Sequence, residues 1–155
     1  RYLDRQASMG QISYDEFVSQ MAILARISEK ETRGFLDNNP RNRELLNYIG
    51  QKLKPKYKIG FLSNASDNWL SELFTQEQIK LFDQIVLSCD VKLAKPDHKM
   101  YEIIADKLGI ATSECIFVDD IERYCVAAEE VGMKSIRYKD FSDFVTQFSK
   151  ITGES

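Results

Sequence analysis

Two adjacent carboxylates, Asp119 and Asp120, directly follow an apolar run at residues 116–118. Like charges at this spacing are costly unless a cation or hydrogen bonds offset them. Mg²⁺ prefers carboxylates, waters and phosphate oxygens, and the sequence has no His and Cys cluster that would favour a softer metal. Because neighbouring side chains of a strand face opposite ways, we expect one carboxylate to bind Mg²⁺ directly and the other through water. The alternative is that Asp120 caps the following helix.

A lysine and a serine could add a site for a phosphate group. Lys95 stands before Pro96 and Asp97 at the start of a predicted helix, where the helix dipole disfavours a cation, so its position calls for an anion such as phosphate. Ser63 and Asn64 offer a hydroxyl and backbone N–H groups at a strand-to-helix turn, a geometry that cradles phosphoryl oxygens. The alternatives are a solvated surface lysine and a serine that only caps a helix.

Strands and helices alternate in the part of the chain that carries these residues. Short apolar runs at residues 58–63, 85–87, 115–118 and 135–138 are separated by patterns of helical period. Buried strands alternating with helices predict an α/β fold with a parallel sheet covered on both faces. Ligands of such sheets bind outside the carboxyl ends of the strands, which is where the acid pair, the serine and the asparagine occur.

The first third of the chain is helical by period, with no strand pattern. Capping boxes of Ser13 with Glu16 and of Ser28 with Glu31 predict the starts of two helices, the second of them short. Turn-forming residues at positions 37–40 then predict a linker. The sequence therefore predicts a small helical part followed by an α/β core.

Composition excludes several classes of protein. The 155 residues carry 21 Lys and Arg against 24 Asp and Glu, a formal net charge of -3, which gives no general attraction to nucleic acid or anionic lipid. The longest apolar run, residues 21–25, is far below the roughly 20 residues of a membrane span. Three cysteines without C-x-x-C spacing favour a reducing cytoplasm. We therefore expect no nucleic-acid or membrane partner, but a small molecule or a protein.

The order of the motifs resembles a known family. Phe-Leu-Ser-Asn at residues 61–64, Lys-Pro-Asp at 95–97 and Phe-Val-Asp-Asp at 117–120 together resemble the haloacid dehalogenase-like hydrolase superfamily. The resemblance implies a Rossmann-like parallel core over residues 41–155. Residues 1–36 look like part of the helical cap that one branch of this family carries, and residues 37–40 would be the linker.

The resemblance also implies roles for the candidate residues. Ser63 would hydrogen-bond a phosphoryl group, with Asn64 contributing backbone groups. Lys95 would neutralise charge on the nucleophile and on a phosphoaspartyl intermediate. Asp119 and Asp120 would hold Mg²⁺, with Asp120 as the direct ligand. The implied reaction is hydrolysis of a small phosphate monoester through an aspartyl-phosphate.

The sequence departs from the family pattern in two places. Relatives often carry Asn at the position of Tyr124. The family's first motif, Asp-x-Asp at the end of a central first strand, supplies the nucleophile and the general acid, and no such segment occurs in residues 1–155. Without that strand, two strand pairs with unpaired inner edges would remain. We therefore expect the strand to come from sequence before Arg1 or from a second chain.

Other functions fit the sequence less well. A non-catalytic relative that binds proteins would be consistent with the absent first motif. Metal-independent dehalogenation, also known in the family, is disfavoured by the Asp pair. A receiver domain would carry its acid pair early in the chain, and a P-loop enzyme would need a G-x-x-x-x-G-K-[ST] segment that is absent.

Overall fold

The protein is described by a computed structural model that covers residues 6, 9, 11–37, 42–65 and 69–154. Within these ranges every helix is too short or too polar to cross a lipid bilayer. The elements follow in the order α1 (Tyr14–Ala25), α2 (Glu29–Asp37), α3 (Arg43–Tyr48), a π-helical turn (Ile49–Leu53), β1 (Gly60–Ser63), α4 (Trp69–Leu73), α5 (Gln76–Ile79), β2 (Gln84–Leu87), α6 (Ser88–Val91), α7 (His98–Leu108), a 3₁₀ turn (Thr112–Glu114), β3 (Ile116–Asp119), α8 (Glu122–Glu130), β4 (Lys134–Arg137) and α9 (Phe141–Thr152).

Helices α1 and α2 begin at the two predicted capping boxes. The Ser13 hydroxyl accepts a hydrogen bond from the Glu16 N–H at 3.2 Å, and the Glu16 carboxylate accepts one from the Ser13 N–H at 2.8 Å. Ser28 and Glu31 repeat the arrangement at 3.2 and 2.9 Å. Each box satisfies two N–H groups that a helix start would otherwise leave unpaired. Both predicted helix starts are confirmed.

All four predicted strands form, and they pair in parallel. β1 pairs with β2 so that Ser63 lies opposite Leu87, and β3 pairs with β4 so that Asp119 lies opposite Arg137. Among the described residues, each pair is a separate two-stranded sheet. The polar residues predicted to do chemistry therefore stand at the carboxyl ends of strands.

At the amino ends of β1 and β2, the Asp83 carboxylate links the residues that precede the two strands. The Asp83 N–H donates to the Ile59 carbonyl at 2.7 Å, and the Ile59 N–H donates to Asp83 Oδ2 at 2.7 Å. Lys54 Nζ donates to Asp83 Oδ1 at 2.5 Å. The Ile59 hydrogen bond, followed by the one from Lys54, lowers the pKa of the Asp83 carboxyl.

The later helices are ended and buried as their sequences predict. Asp97 caps α7 by accepting from the Lys99 N–H at 2.9 Å, and Gly109 ends the helix in the left-handed region at φ 67°. Helices α7, α8 and α9 direct their apolar faces inward, and the buried side chains they contribute are Met100, Tyr101, Ile104, Ala105, Leu108, Tyr124, Cys125, Ala127, Ala128, Phe144 and Phe148.

The structure differs from the sequence predictions in the shorter elements. Leu45, Ile49 and Leu53 recur at helical spacing and predict one helix over residues 41–53. The structure has an α-helix from Arg43 to Tyr48 that continues as a π-helical turn. Helices α4, α5 and α6 do not follow from the sequence patterns, because each has at most five residues and too little periodicity to detect. The start of α5 carried a signal, since Thr75 and Gln78 form a capping box.

Contacts divide the chain into two units, Arg1–Ala94 and Lys95–Ser155. The first contains α1 to α6 with the β1–β2 pair, and the second contains α7 to α9 with the β3–β4 pair. The division into a cap at 1–36, a linker at 37–40 and a core at 41–155 stays a prediction. Of the linker, residues 38–40 lie outside the described residues.

Candidate active site

Lys95 and Asp119 form a buried ion pair in the second unit. Lys95 Nζ donates to Asp119 Oδ2 at 2.5 Å, and the two side chains are only 7% and 11% exposed. Lys95 precedes the N-cap of α7, whereas Asp119 is the last residue of β3. An anion was expected beside Lys95 because the lysine stands at the start of a helix, and the structure places the Asp119 carboxylate there. The interpretation of Lys95 as a solvated surface lysine is wrong.

Aromatic rings line the space around the Lys95 ammonium. Nζ lies 4.8 Å from the centroid of the Tyr124 ring and 5.5 Å from that of Phe117. Phe117 is in β3 and Tyr124 is in the first turns of α8, so the strand and the helix on either side of the acid pair both supply a ring. Ring faces attract cations, and the attraction is strongest where water is excluded.

The two neighbouring aspartates have different environments. Asp119 Oδ1 accepts from the Ile121 N–H at 2.9 Å, so both of its carboxylate oxygens are hydrogen-bonded. Asp120 is exposed, and its backbone carbonyl accepts from Arg137 Nε at 3.4 Å. The N-cap of α8 is Ile121, with no side-chain hydrogen bond among the described residues. Asp120 therefore does not cap this helix, contrary to the alternative that the sequence left open.

The negative charge of Asp119 acts on two neighbouring groups. Burial, and secondly the Asp119 charge, raise the pKa of Tyr101 well above its ordinary value. Burial and then Asp119 also raise the pKa of the Cys125 thiol. Both groups therefore stay protonated as donors: the Tyr101 hydroxyl donates to the Tyr124 carbonyl at 2.9 Å, and Cys125 Sγ donates to the Asp119 carbonyl at 3.5 Å.

Ser63 and Asn64 lie in the first unit, at the carboxyl end of β1. Ser63 is buried as the last residue of the strand, and Asn64 is half-buried in the loop that follows. The fully buried Ser88 holds this loop, because its hydroxyl accepts from the Ala65 N–H at 2.9 Å and donates to the Ala65 carbonyl at 3.3 Å. The loop that is expected to bind a phosphate is therefore hydrogen-bonded to the residue directly after β2, the neighbouring strand.

The structure brings Lys95 and Asp119 into contact and places Asp120 next to them, while Ser63 and Asn64 belong to the other unit. Sequence reasoning missed Ser88, and it did not connect Phe117 with the lysine. The signal for Ser88 was a hydroxyl directly after the strand run at 85–87. The signal for the rings was the position of aromatic residues on both sides of the acid pair.

The oxygen atoms at this strand end are of the type that binds a hard cation. Asp120 offers an exposed carboxylate at the carboxyl end of β3. Within the described ranges, no three His, Cys, Asp or Glu side chains stand close enough together to hold a metal ion. Mg²⁺ commonly keeps several waters and takes one or two carboxylates together with phosphate oxygens. An exposed carboxylate such as that of Asp120 is a ligand of the kind that Mg²⁺ takes.

Comparison with known proteins places most of the chain in one family. Residues 7–138 match the family described as haloacid dehalogenase-like hydrolase. The chain is 25% identical to bifunctional epoxide hydrolase 2 of Rattus norvegicus over 96% of its length and 30% of the relative's. It is 34% identical to the putative phosphatase YhcW of Bacillus subtilis over 51% of its length and 36% of the relative's. The chain thus spans about a third of these curated relatives.

Solved structures show the same fold. A HAD family enzyme from Bacteroides thetaiotaomicron, solved with magnesium and inorganic phosphate, superposes with a TM-score of 0.71 and 25% identity over 90% of this chain and 76% of that one. The parallel strand pairs and their covering helices are accordingly parts of an α/β fold of Rossmann type.

Proposed function

This chain belongs to the haloacid dehalogenase-like hydrolase family, and we propose that it provides the Mg²⁺ and phosphate-binding residues of a phosphatase for small phosphate monoesters. The observation that carries the proposal is the buried Lys95–Asp119 ion pair beside the exposed Asp120 at the carboxyl end of β3. A buried ion pair is a weak source of stability because desolvation offsets its attraction. We therefore infer that the ion pair stands at the carboxyl end of β3 for a role in catalysis and not for stability.

Each residue has a separate proposed role in the reaction. The Lys95 ammonium, fixed by Asp119, is a preorganised positive charge that offsets negative charge developing on a phosphoryl group. Ser63 and Asn64 are proposed to bind phosphoryl oxygens through a hydroxyl and a backbone N–H. Asp120 would hold Mg²⁺, and the bound ion supplies further charge neutralisation at the phosphoryl oxygens.

The proposed reaction is a double displacement at phosphorus. An aspartate carboxylate attacks the phosphorus atom, the P–O ester bond breaks, and the alcohol leaves with a proton from a second aspartate. Water then hydrolyses the aspartyl-phosphate to inorganic phosphate and restores the carboxylate. Because residues 1–155 contain no Asp-x-Asp segment, we propose that both aspartates come from sequence outside these residues or from a second chain.

The test is an assay of the full-length protein with a panel of small phosphate monoesters, in Mg²⁺ and in EDTA. We expect phosphate release in Mg²⁺ and its loss in EDTA, with recovery when Mg²⁺ is restored. 2-Chloropropionate in the same assay tests for dehalogenation, and we expect no chloride release. A folded protein that releases neither phosphate nor chloride would contradict the proposal and favour a non-catalytic role.

A further inference from the structure

The Lys95 ammonium is surrounded by more than its carboxylate partner. Only 7% of the side chain is exposed, Nζ donates to Asp119, and the Tyr124 and Phe117 ring centroids lie 4.8 and 5.5 Å from Nζ. Removing a cation from water is costly. Aromatic faces offset part of that cost, because their negative potential attracts the cation and stays strong in a desolvated site.

Tyr124 is itself held in place by its neighbours. Its carbonyl accepts a hydrogen bond from the Tyr101 hydroxyl at 2.9 Å, and the Tyr101 ring packs edge-on against Phe117 at 5.1 Å between centroids. Arg123 lies over the Tyr124 ring at 5.0 Å and donates to its hydroxyl at 3.3 Å. Tyr101 is fully buried, so the Tyr124 carbonyl and the Phe117 ring both contact a buried side chain of the second unit.

We propose that Tyr124 is a positioning residue that holds the Lys95 ammonium beside Asp119 for phosphoryl transfer. The inference rests on the proposed function of Lys95. A lysine has a flexible four-carbon stem, so a site that needs its charge at one point must restrict it. The Tyr124 ring does so through its face, whose centroid lies 4.8 Å from Nζ.

The ring and the hydroxyl of Tyr124 can be tested separately. Tyr124→Phe keeps the ring, and we expect kcat within about twofold of the parent protein. Tyr124→Leu removes the ring face, and we expect kcat to fall about tenfold while KM changes less than twofold. An unchanged kcat in Tyr124→Leu, or an equal loss in Tyr124→Phe, would overturn the proposal.

A ring-fluorination series separates electrostatic positioning from packing. Phenylalanines with one, two and three ring fluorines at position 124 keep the shape of the ring but progressively weaken its negative face. We expect kcat to fall stepwise along the series at constant melting temperature, and a flat series would contradict the proposal.

Phe144→Leu is the matched control. Phe144 is a buried ring of the same unit that packs on Phe141 and Phe148, so its loss should lower stability without lowering kcat.

A measurement without turnover tests the placement itself. In NMR spectra of the full-length protein with labelled lysine, the Lys95 ε-methylene protons should be shifted upfield by the ring faces in the parent and in Tyr124→Phe, and return towards the ordinary position in Tyr124→Leu. Lys95→Met assigns the resonance. An upfield shift in a protein without phosphatase activity would refute the proposed function but support the placement, whereas an active protein without the shift would refute the placement alone.

Discussion

Asp119 and Asp120 are adjacent in sequence but differ in what they can bind. Both carboxylate oxygens of Asp119 accept hydrogen bonds from the protein, one from Lys95 and one from the Ile121 N–H. Asp120 is exposed at the same strand end. The alternation of side chains along a strand led to the expectation of two different roles. We therefore propose that Asp119 positions the lysine and that Asp120 holds the metal ion.

Asp120→Asn should weaken the response of turnover to Mg²⁺ without affecting the fold. The substitution deletes the negative charge of an exposed side chain, so the free energy of unfolding should stay within about 0.5 kcal/mol of the parent value. We expect the Mg²⁺ concentration that gives half-maximal activity to rise at least tenfold, as measured by titrating the metal at saturating substrate. Asp106→Asn, at an exposed carboxylate on α7, is the control and should need the same Mg²⁺ concentration for half-maximal activity as the parent. An unchanged Mg²⁺ requirement in Asp120→Asn would refute its assignment.

Lys95→Met should lower both turnover and stability, for reasons that can be separated. Loss of a preorganised charge should reduce kcat roughly 10²–10³-fold, the scale seen when one stabilising donor is removed. Leaving Asp119 buried without its partner should also cost about 3 kcal/mol of unfolding free energy.

The double variant Lys95→Met with Asp119→Asn distinguishes the two effects. We expect it to recover most of the stability measured by denaturant unfolding, because no uncompensated charge remains buried, but none of the turnover. Recovery of turnover together with stability would show that Lys95 acts only on the fold. Lys99→Met, at an exposed lysine in the first turn of α7, serves as the matched control.

Residue types and spacing predicted the candidate residues but not the burial of Lys95. Its partner Asp119 is 24 residues further along the chain, on a different element. Burial of a charged side chain depends on such long-range contacts, which local patterns do not contain. The same limit applies to the rings of Phe117 and Tyr124, whose approach to Nζ requires the β3-to-α8 connection to fold beside the start of α7.

At the level of elements, the loop after β1 depends on one buried hydroxyl. Ser88 bonds both the N–H and the carbonyl of Ala65, two residues beyond Ser63. Ser88→Ala should leave the buried Ala65 N–H without its acceptor, which costs about 1–3 kcal/mol.

The kinetic consequence of Ser88→Ala follows from the place of the loop. Because Ser63 and Asn64 are proposed to bind phosphoryl oxygens, we expect KM for a phosphate monoester to rise several-fold, as measured under steady-state conditions. Ser113→Ala, at an exposed hydroxyl, should change neither stability nor KM. A Ser88→Ala protein that is destabilised but has parental KM would show that the loop plays no part in binding.

The contribution of Asp83 to the free energy of unfolding should depend on pH. Its pKa is lowered in the folded state, chiefly by the Ile59 N–H. The carboxylate therefore stabilises the fold above its unfolded pKa, about 4, and this contribution is lost as pH falls through the lower folded value. Since the group is partly exposed and screened, Asp83→Asn should cost only on the order of 1 kcal/mol at pH 7. The difference from the parent in urea unfolding should shrink below pH 4, and a difference constant with pH would contradict this assignment.

The elements themselves were largely predictable because their signals are local. The capping boxes at Ser13 and Ser28 are closed within four residues, and the four apolar runs have the length and flanking residues of buried strands. The very short helices α4 and α6 lack such signals. Helix α6 begins at Ser88 directly after β2, where the sequence suggested only a polar strand end.

At the scale of the whole molecule, the described residues contain two parallel strand pairs, one in each unit. Family membership explains why the motifs occur in this order along the chain. The expectation of a further strand, carrying Asp-x-Asp between β1 and β3, stays a prediction. Sequence patterns indicated parallel strands because the runs are near-continuously apolar, but pairing partners depend on the complete sheet.

The most direct test of the proposed mechanism is to trap the phosphorylated protein. The full-length protein would be mixed with a phosphate monoester in Mg²⁺, quenched in acid during turnover, and mapped by peptide mass spectrometry. We expect a phosphoryl group on an aspartate outside residues 1–155, sensitive to hydroxylamine and absent when EDTA replaces Mg²⁺. Phosphate release without any phosphorylated aspartate, or phosphorylation of a residue within 1–155, would contradict the mechanism.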